Sequence, residues 1–384
     1  MVRFWRLLKS LTKLRWKILP PRHTNVLLYF ITGTDVIAPY FSETEFQVLD
    51  LREHEVNISV ALRCVLDKNL SAENYAIRYI SFVKPKLIIT FIDNFPAFFR
   101  LKQHFPETSM MLLQNGMRSD RGDLFGELLE DLTSGLNHVD QMFVFGSAIG
   151  AIYSKFISGA IVPIGSFKNN LVKVQKKDTK SVAYISTYRS EISEHHIVQN
   201  SSPSHPATYG EVIRRREQVI IFLANYCKAN KLELVIIGKD DNFERERSYY
   251  ATLLKNYSWT ISQRSAATSS YEAIDNSEII VFTSSTLGYE ALARGKKTAA
   301  LMIDSEFLDA PALKFGWPAV VPSEGLFWTH QFSETRFIEI MDYLVEVPNL
   351  AWEKICSETM RDIINYDEGN SQFVAAIQEL RANW

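Results

Sequence analysis

The chain has 384 residues, too many for one ordinary domain and enough for two cores of about 150 to 200 residues each. Hydrophobic residues make up 46% and charged residues 22%, which excludes wholesale disorder and gives a globular class. A formal net charge of −2 gives no overall attraction to nucleic acid, and neither zinc-finger spacing nor an RNP aromatic motif is present.

The N-terminus departs from this even charge. Arg3, Arg6, Lys9, Lys13 and Lys17 recur at helical spacing, and no acidic residue precedes Asp35. Phe4, Leu7, Leu8, Leu11, Leu14 and Ile18 gather on the opposite arc, with Trp5 and Trp16 at one boundary and Arg15 alone on the apolar side. Basic residues interrupt every apolar stretch before Pro20-Pro21, unlike a secretory signal. Residues 1–22 are therefore expected to form a basic amphipathic helix on the cytoplasmic face of the inner membrane, although the same pattern serves a helix packed on its own domain. No apolar run approaches the ~20 residues of a membrane span. Cys64, Cys227 and Cys356 lie far apart without CxxC spacing, which points to a reducing cytoplasm with neither a disulfide framework nor a zinc site.

Residues 26–31 read as a buried strand, a short apolar run bounded by turn residues as a sheet covered on both faces requires. Strands are expected next at 46–49, 87–91, 110–113, 141–145 and 160–163, most of them separated by helical periodicity, so 23–171 reads as one doubly wound, mostly parallel domain. The polar, basic stretch 172–180 reads as a linker. The alternation restarts with strands at 181–186, 232–238, 259–262, 278–282 and 297–302, and with helices near 210–230, 271–276 and 286–294, which gives a second Rossmann-like domain over 181–330. Three amphipathic stretches, 334–345, 351–364 and 371–382, read as helices, and 331–384 is expected to pack across both domains.

The sharpest local signal is the run Ser284-Ser285-Thr286-Leu287-Gly288-Tyr289-Glu290 after the apolar stretch Ile279-Ile280-Val281-Phe282. A strand-to-helix turn presents unpaired N–H groups at the positive end of a helix dipole, and Ser284, Ser285 and Thr286 add small hydroxyls, an environment that suits a phosphate. Gly288 permits close backbone approach to a ligand or a neighbouring helix, and Glu290 is placed to accept from sugar hydroxyls. A helix N-cap with its capping box is the structural alternative.

This run, continued by Ala291-Leu292-Ala293-Arg294-Gly295-Lys296, resembles the donor-binding segment of glycosyltransferases of the GT-B type, in which two Rossmann-like domains face each other across a cleft and the C-terminal one holds a nucleotide-sugar. Together with Thr90-Phe91-Ile92-Asp93-Asn94, Leu113-Gln114-Asn115-Gly116-Met117-Arg118 and the segment 162–170, it is similar over roughly residues 25–305 to a bacterial family of O-antigen and surface-polysaccharide biosynthesis proteins. The resemblance implies transfer of a sugar from a nucleotide-activated donor to a saccharide acceptor, lipid-linked, of an O-antigen or capsule.

Asp93 and Asn94 follow the expected strand 87–91 at its C-terminal edge, where open α/β sheets bind ligands. Asp93 is the first candidate for a catalytic base, with a helix cap as its alternative, and Asn94 stands beside it. Gln114, Asn115 and Gly116 end the next strand, with Arg118 available for an anionic group. Gly165, Ser166, Asn169 and Asn170 follow the last strand of the first domain and should line the cleft or its hinge. Ser186, Thr187, Arg189, Gly238 and Lys239 end the first two strands of the second domain and are candidates for gripping the donor phosphate, Arg189 and Lys239 being otherwise ordinary surface cations.

His195 and His196 lack a third ligand at metal spacing, and Asp240-Asp241 is contiguous, not a DxD pair, so no metal and no cofactor is expected. GxGxxG, GxxxxGK[ST] and GxSxG are absent, which removes the main support for oxidoreductase, P-loop and serine-hydrolase readings. Three alternatives share the two-domain plan: a non-hydrolysing nucleotide-sugar epimerase, a polyol-phosphate transferase of the teichoic-acid type, and a non-catalytic sugar-nucleotide-binding scaffold.

Overall fold

The computed structural model describes residues 15–384 apart from 52–54, 121–122, 132–134, 176, 178, 199–205, 267, 307 and 309. Its first six-stranded sheet is built from short apolar runs: β2 (Val26–Tyr29), β3 (Phe46–Leu49), β5 (Leu87–Thr90), β6 (Ser109–Leu113), β7 (His138–Val144) and β8 (Ser158–Pro163), ordered β3-β2-β5-β6-β7-β8 and parallel throughout. β2 and β5 are buried along their whole length, because helices cover both faces of the sheet.

A second sheet takes β9 (Ser181–Ile185), β10 (Glu233–Ile237), β11 (Thr260–Ser262), β12 (Ile279–Phe282), β13 (Lys297–Leu301), β14 (Glu324–Gly325) and β15 (Trp328–Thr329), in the order β11-β10-β9-β12-β13-β15-β14. All its pairs are parallel except β14 with β15. In each sheet the chain leaves its first strand to one side and returns to the other, so the strand order reverses between β2 and β5 and between β9 and β12. Ligands of such sheets sit outside the C-terminal strand ends at those reversals.

The N-terminal expectation needs correction. Arg15–Lys17 is a strand, β1, paired in parallel with β4 (Glu55–Asn57). Lys17 lies 2.6 Å from the Glu55 carboxylate, and Asn57 Nδ2 donates to the Leu19 carbonyl at 2.6 Å. Pro20 and Pro21 then supply no N–H for a helical ladder. Residues 1–14, which carry most of the basic amphipathic pattern, lie outside the described residues. No described helix is long and apolar enough to cross a membrane.

The stretch after Asn170 forms no regular element, but it is held against the second sheet. The Arg294 guanidinium donates to the carbonyls of Val172 and Lys173 at 2.8 and 3.3 Å, and Gln175 N donates to Asp275 at 2.9 Å. At the C-terminus, helix Glu334–Glu346 follows β15, whereas helix Ser371–Arg381 returns to the first sheet. There Phe373 packs on Phe167, Tyr40 and Phe143 with ring centroids 5.0, 5.2 and 5.5 Å apart.

Candidate functional site

The C-terminal ends of both sheets open onto one cleft, which has two adjoining cavities. The first, about 410 Å³, is lined by Asn115 and Lys168 from the N-terminal half and by Arg189, Lys239, Arg264 and Glu290, among others, from the C-terminal half. The second, about 450 Å³, is lined by Asn94, Arg118 and Asp123 on one side and by Ser284 and Thr286 on the other. Lys239, Ser285 and Thr286 belong to both.

The hydroxyl-rich turn is a helix start and a domain contact at once. Ser285 is the N-cap of helix Thr286–Ala293, its Oγ accepting from Leu287 N at 3.3 Å. Thr286 Oγ1 accepts from Met117 N of the N-terminal half at 3.4 Å. Gly288 does not serve ligand approach: a Cβ there would lie 2.2 Å from Phe282 Cγ, so the glycine lets the helix sit on the strand that precedes it.

Lys239 is held in place by its backbone. The Glu246 carboxylate accepts from Lys239 N, from Asp240 N and from Ser186 Oγ, which fixes the β10 loop against the end of β9. Burial, with Arg189, Arg216 and Arg264 nearby, pushes the Lys239 ammonium down to about 8. Among the described residues its Nζ makes no hydrogen bond or ion pair. Burial also raises the Glu290 carboxyl above its usual range, against the opposing effect of Ser166, Tyr271, Lys168 and Arg294.

Several residues singled out from sequence brace the cleft and do not face it. Asp93 is 0% exposed; both its oxygens are taken, by Arg118 in a two-point pair and by Tyr153 OH at 2.9 Å. A carboxylate so enclosed is out of reach of an acceptor hydroxyl, so Asp93 is corrected from catalytic base to a positioning group for Arg118. Gln114 is buried and bridges Phe145 N (2.8 Å) and the Gly116 carbonyl (2.9 Å), shaping the turn that presents Asn115. Ser186 is fully buried against Glu246 and Tyr250, and Thr187 is buried beside it.

Gly165 has φ of +84° and no room for a Cβ, which would meet Asn365 O at 1.9 Å, so it serves the returning C-terminal segment. Ser166 donates to Glu290, Asn169 accepts from Arg294 at 3.0 Å, and Asn170 donates to Asn370 at 2.9 Å. Ser166 and Asn169 tie the halves together beneath the cleft, and Asn170 holds the returning C-terminal segment to the first half. Asn94, Asn115, Arg118, Arg189, Gly238, Lys239, Ser284, Ser285, Thr286 and Glu290 are the predicted residues that line it, with Gly116 beside Thr286.

Sequence reasoning missed Lys168, Arg264, Tyr271 and Asp123. Arg264 follows the end of β11 as Arg189 follows β9, so the same strand-end logic finds it. Lys168 lies inside the run 165–170, half-buried, with its Nζ 5.0 Å from the Phe91 ring centroid. Asp123 sits in a loop without strand-end spacing, and no signal marked it; its Oδ2 accepts from Ser119 N at 3.0 Å and its Oδ1 lies 3.8 Å from Arg118. Among the described residues, no group of three or more His, Cys, Asp or Glu is arranged to hold a metal.

Residues 111–381 match the model of a family described as "putative O-antigen biosynthesis protein". The chain belongs to that family. The match to this O-antigen family takes in the returning C-terminal helix and starts at β6, later than the motif resemblance at Thr90–Asn94. No curated protein matches the sequence. Among solved structures, a "putative UDP-N-acetylglucosamine 2-epimerase" from Listeria monocytogenes aligns over 94% of this chain and 97% of its own at 13% identity, with TM-score 0.55. The UDP-GlcNAc 2-epimerase from Neisseria meningitidis, bound to UDP-GlcNAc, aligns over 94% and 100% at 14% identity, TM-score 0.51. The wall teichoic acid polymerase TagF aligns over 94% and 90% at 9% identity, TM-score 0.51. The fold is thus the GT-B arrangement, two Rossmann-like α/β units facing across a cleft.

Proposed function

We propose that this protein is a glycosyltransferase that binds the diphosphate of a nucleotide-sugar in the 410 Å³ cavity and passes the sugar to a saccharide acceptor of a surface polysaccharide. One observation carries the reading: Lys168, Arg189, Lys239 and Arg264 converge on a cavity that holds a helix N-terminus and a single carboxylate, Glu290, whose ionisation burial disfavours. That excess of positive charge in a partly desolvated cleft suits two phosphates and the charge that develops on a departing diphosphate. The nucleotide-sugar ligand of the meningococcal structure and the family's polysaccharide assignment support the same substrate class.

In this scheme the acceptor enters the 450 Å³ cavity. Its hydroxyl oxygen attacks the anomeric carbon, the bond from that carbon to the diphosphate oxygen breaks with its electron pair leaving on the diphosphate, and the hydroxyl proton passes to Asp123. Asp123 replaces Asp93 as base because it lines this part of the cleft and is partly open, one oxygen lying 3.8 Å from Arg118 with no shorter polar contact among the described residues. No cofactor or metal enters the scheme. A lipid-linked acceptor would be met at the inner-membrane surface, where the basic residues in the sequence before Arg15 would supply charge and the exposed Ile18 and Leu19 apolar contact.

The test is incubation with UDP-, GDP-, CMP- and dTDP-sugars and bacterial lipid extract, followed by mass spectrometry. Release of nucleoside phosphate together with a glycosylated lipid supports transfer. Interconversion of the sugar on its nucleotide without an acceptor would instead make the protein an epimerase, and tight binding with no product of either kind would make it a scaffold.

A further inference from the structure

We infer that Pro311–Trp317 is an acid-loosened strap on the wall of the 450 Å³ cavity, pinned to the second sheet by the unprotonated ring of His330. Three successive residues of the segment donate to three different elements. Phe315 N donates to His330 Nε2 at 2.9 Å, just past β15. Gly316 N donates to Tyr289 OH at 3.1 Å, on the helix that Ser285 caps. Trp317 Nε1 donates to the Arg118 carbonyl at 2.9 Å, in the N-terminal half. Ala312 and Leu313, at the start of the segment, line the cavity itself.

The direction of the first bond fixes the state of His330. A backbone N–H can only donate, so Nε2 carries a lone pair and the ring proton sits on Nδ1. An imidazolium carries N–H on both nitrogens and would set two donors against each other. Phe315 N has no water to turn to: the residue is 1% exposed, its ring packed on Tyr289 and Trp328 with centroids 5.7 and 5.0 Å away. Protonation of His330 therefore strands a buried donor, which weakens the strap.

The charged groups acting on the imidazole are Lys314, on the strap, and Glu324, on β14. Burial first, and then Lys314, hold the His330 pKa below its ordinary value, with Glu324 opposing. The neutral ring is thus the folded form. Its contribution to the strap is whole above the unfolded value of about 6.5 and is lost as pH falls below it. Loosening frees the Arg118 carbonyl and opens the wall at Ala312 and Leu313, and so controls access to the acceptor cavity. That consequence rests on the transfer scheme, whereas the strap and its test do not.

The experiment is amide hydrogen exchange of the full chain, read by mass spectrometry at about pH 7.5 and about pH 5.5 and corrected for the pH dependence of exchange in free peptides. One pH unit below the free histidine value, protonation of the open form makes opening about tenfold easier. The peptide covering 311–317 should accordingly exchange about tenfold faster at the lower pH, with β12 as slow as before. His330→Gln keeps an acceptor oxygen without a titrating group, and should lose the acid increment. His330→Asn, too short to reach Phe315, keeps the test decisive if the glutamine variant does not fold, and should exchange fast at both pH values. An unchanged rate in the parent, a rise shared equally by β12, or the parent's acid increment in either variant overturns the proposal.

Discussion

Arg118 grips Asp93 with two parallel hydrogen bonds, and Asp93 is fully enclosed while Arg118 reaches the cleft. Burial alone would lower the Arg118 pKa; the Asp93 charge more than offsets it and raises the value, so Arg118 is a permanent cation on the wall of the 450 Å³ cavity. The pair also explains why an acidic residue at a strand end is not a catalytic base here.

Replacing Asp93 by Asn should therefore act on stability. Leaving Arg118 without its counter-charge costs on the order of 3 kcal/mol, seen as a lower midpoint in urea unfolding. Nucleotide-sugar affinity of the folded protein should change little, since Asp93 does not line the donor cavity. Unchanged stability with lost turnover would restore it as a base.

Asp123→Asn should do the opposite. Turnover should fall by about a hundredfold or more, the usual scale for a positioned general base, while donor affinity and unfolding midpoint stay as in the parent. The two variants measured side by side separate the positioning carboxylate from the reacting one.

Donor affinity should depend on pH through Lys239. Its pKa of about 8 means that the unliganded protein carries the cation below that pH and loses it above. Anion affinity is accordingly level on the acid side and declines as pH rises through about 8, and Lys239→Gln should show weaker binding with that decline removed. Titration calorimetry at stepped pH reads both.

Gly288→Ala should destabilise by about 1 to 3 kcal/mol, because the added methyl has nowhere to go against Phe282. Donor binding should weaken alongside, as the helix that carries Ser285 and Thr286 is pushed off its strand. A stable variant with selective loss of binding would mean that the glycine faces the ligand.

The fold was legible because β2, β5, β9 and β12 are apolar runs with turn residues at their ends, and a buried parallel sheet leaves that imprint in sequence. The three-residue pair β1 and β4 and the two-residue strands β14 and β15 left none, being too short for a period to register. Arg15–Lys17 read as helix since Lys17 continues the basic arc of the preceding residues, with only Arg15 off it, and pairing with Glu55–Asn57 overrode that pattern. At the cleft, strand-end position drew attention to Arg189, Lys239 and the Ser284–Thr286 turn, all of which line the two cavities. It did not distinguish side chains that face the cavity from those that turn under it, as Asp93, Gln114 and Ser186 do, because that choice depends on partners distant in sequence: Arg118, Phe145 and Glu246.

The most direct measurement is a thermal-shift screen of the full chain with UDP-, GDP-, CMP- and dTDP-sugars, repeated on Arg189→Gln/Lys239→Gln. A ligand bound only by the native state raises the melting temperature, and at about a hundred times its Kd the gain is about 2.7 kcal/mol. The account predicts a rise with one nucleotide class in the parent and its loss in the double variant. No rise with any donor, or the same rise in the variant, would contradict it.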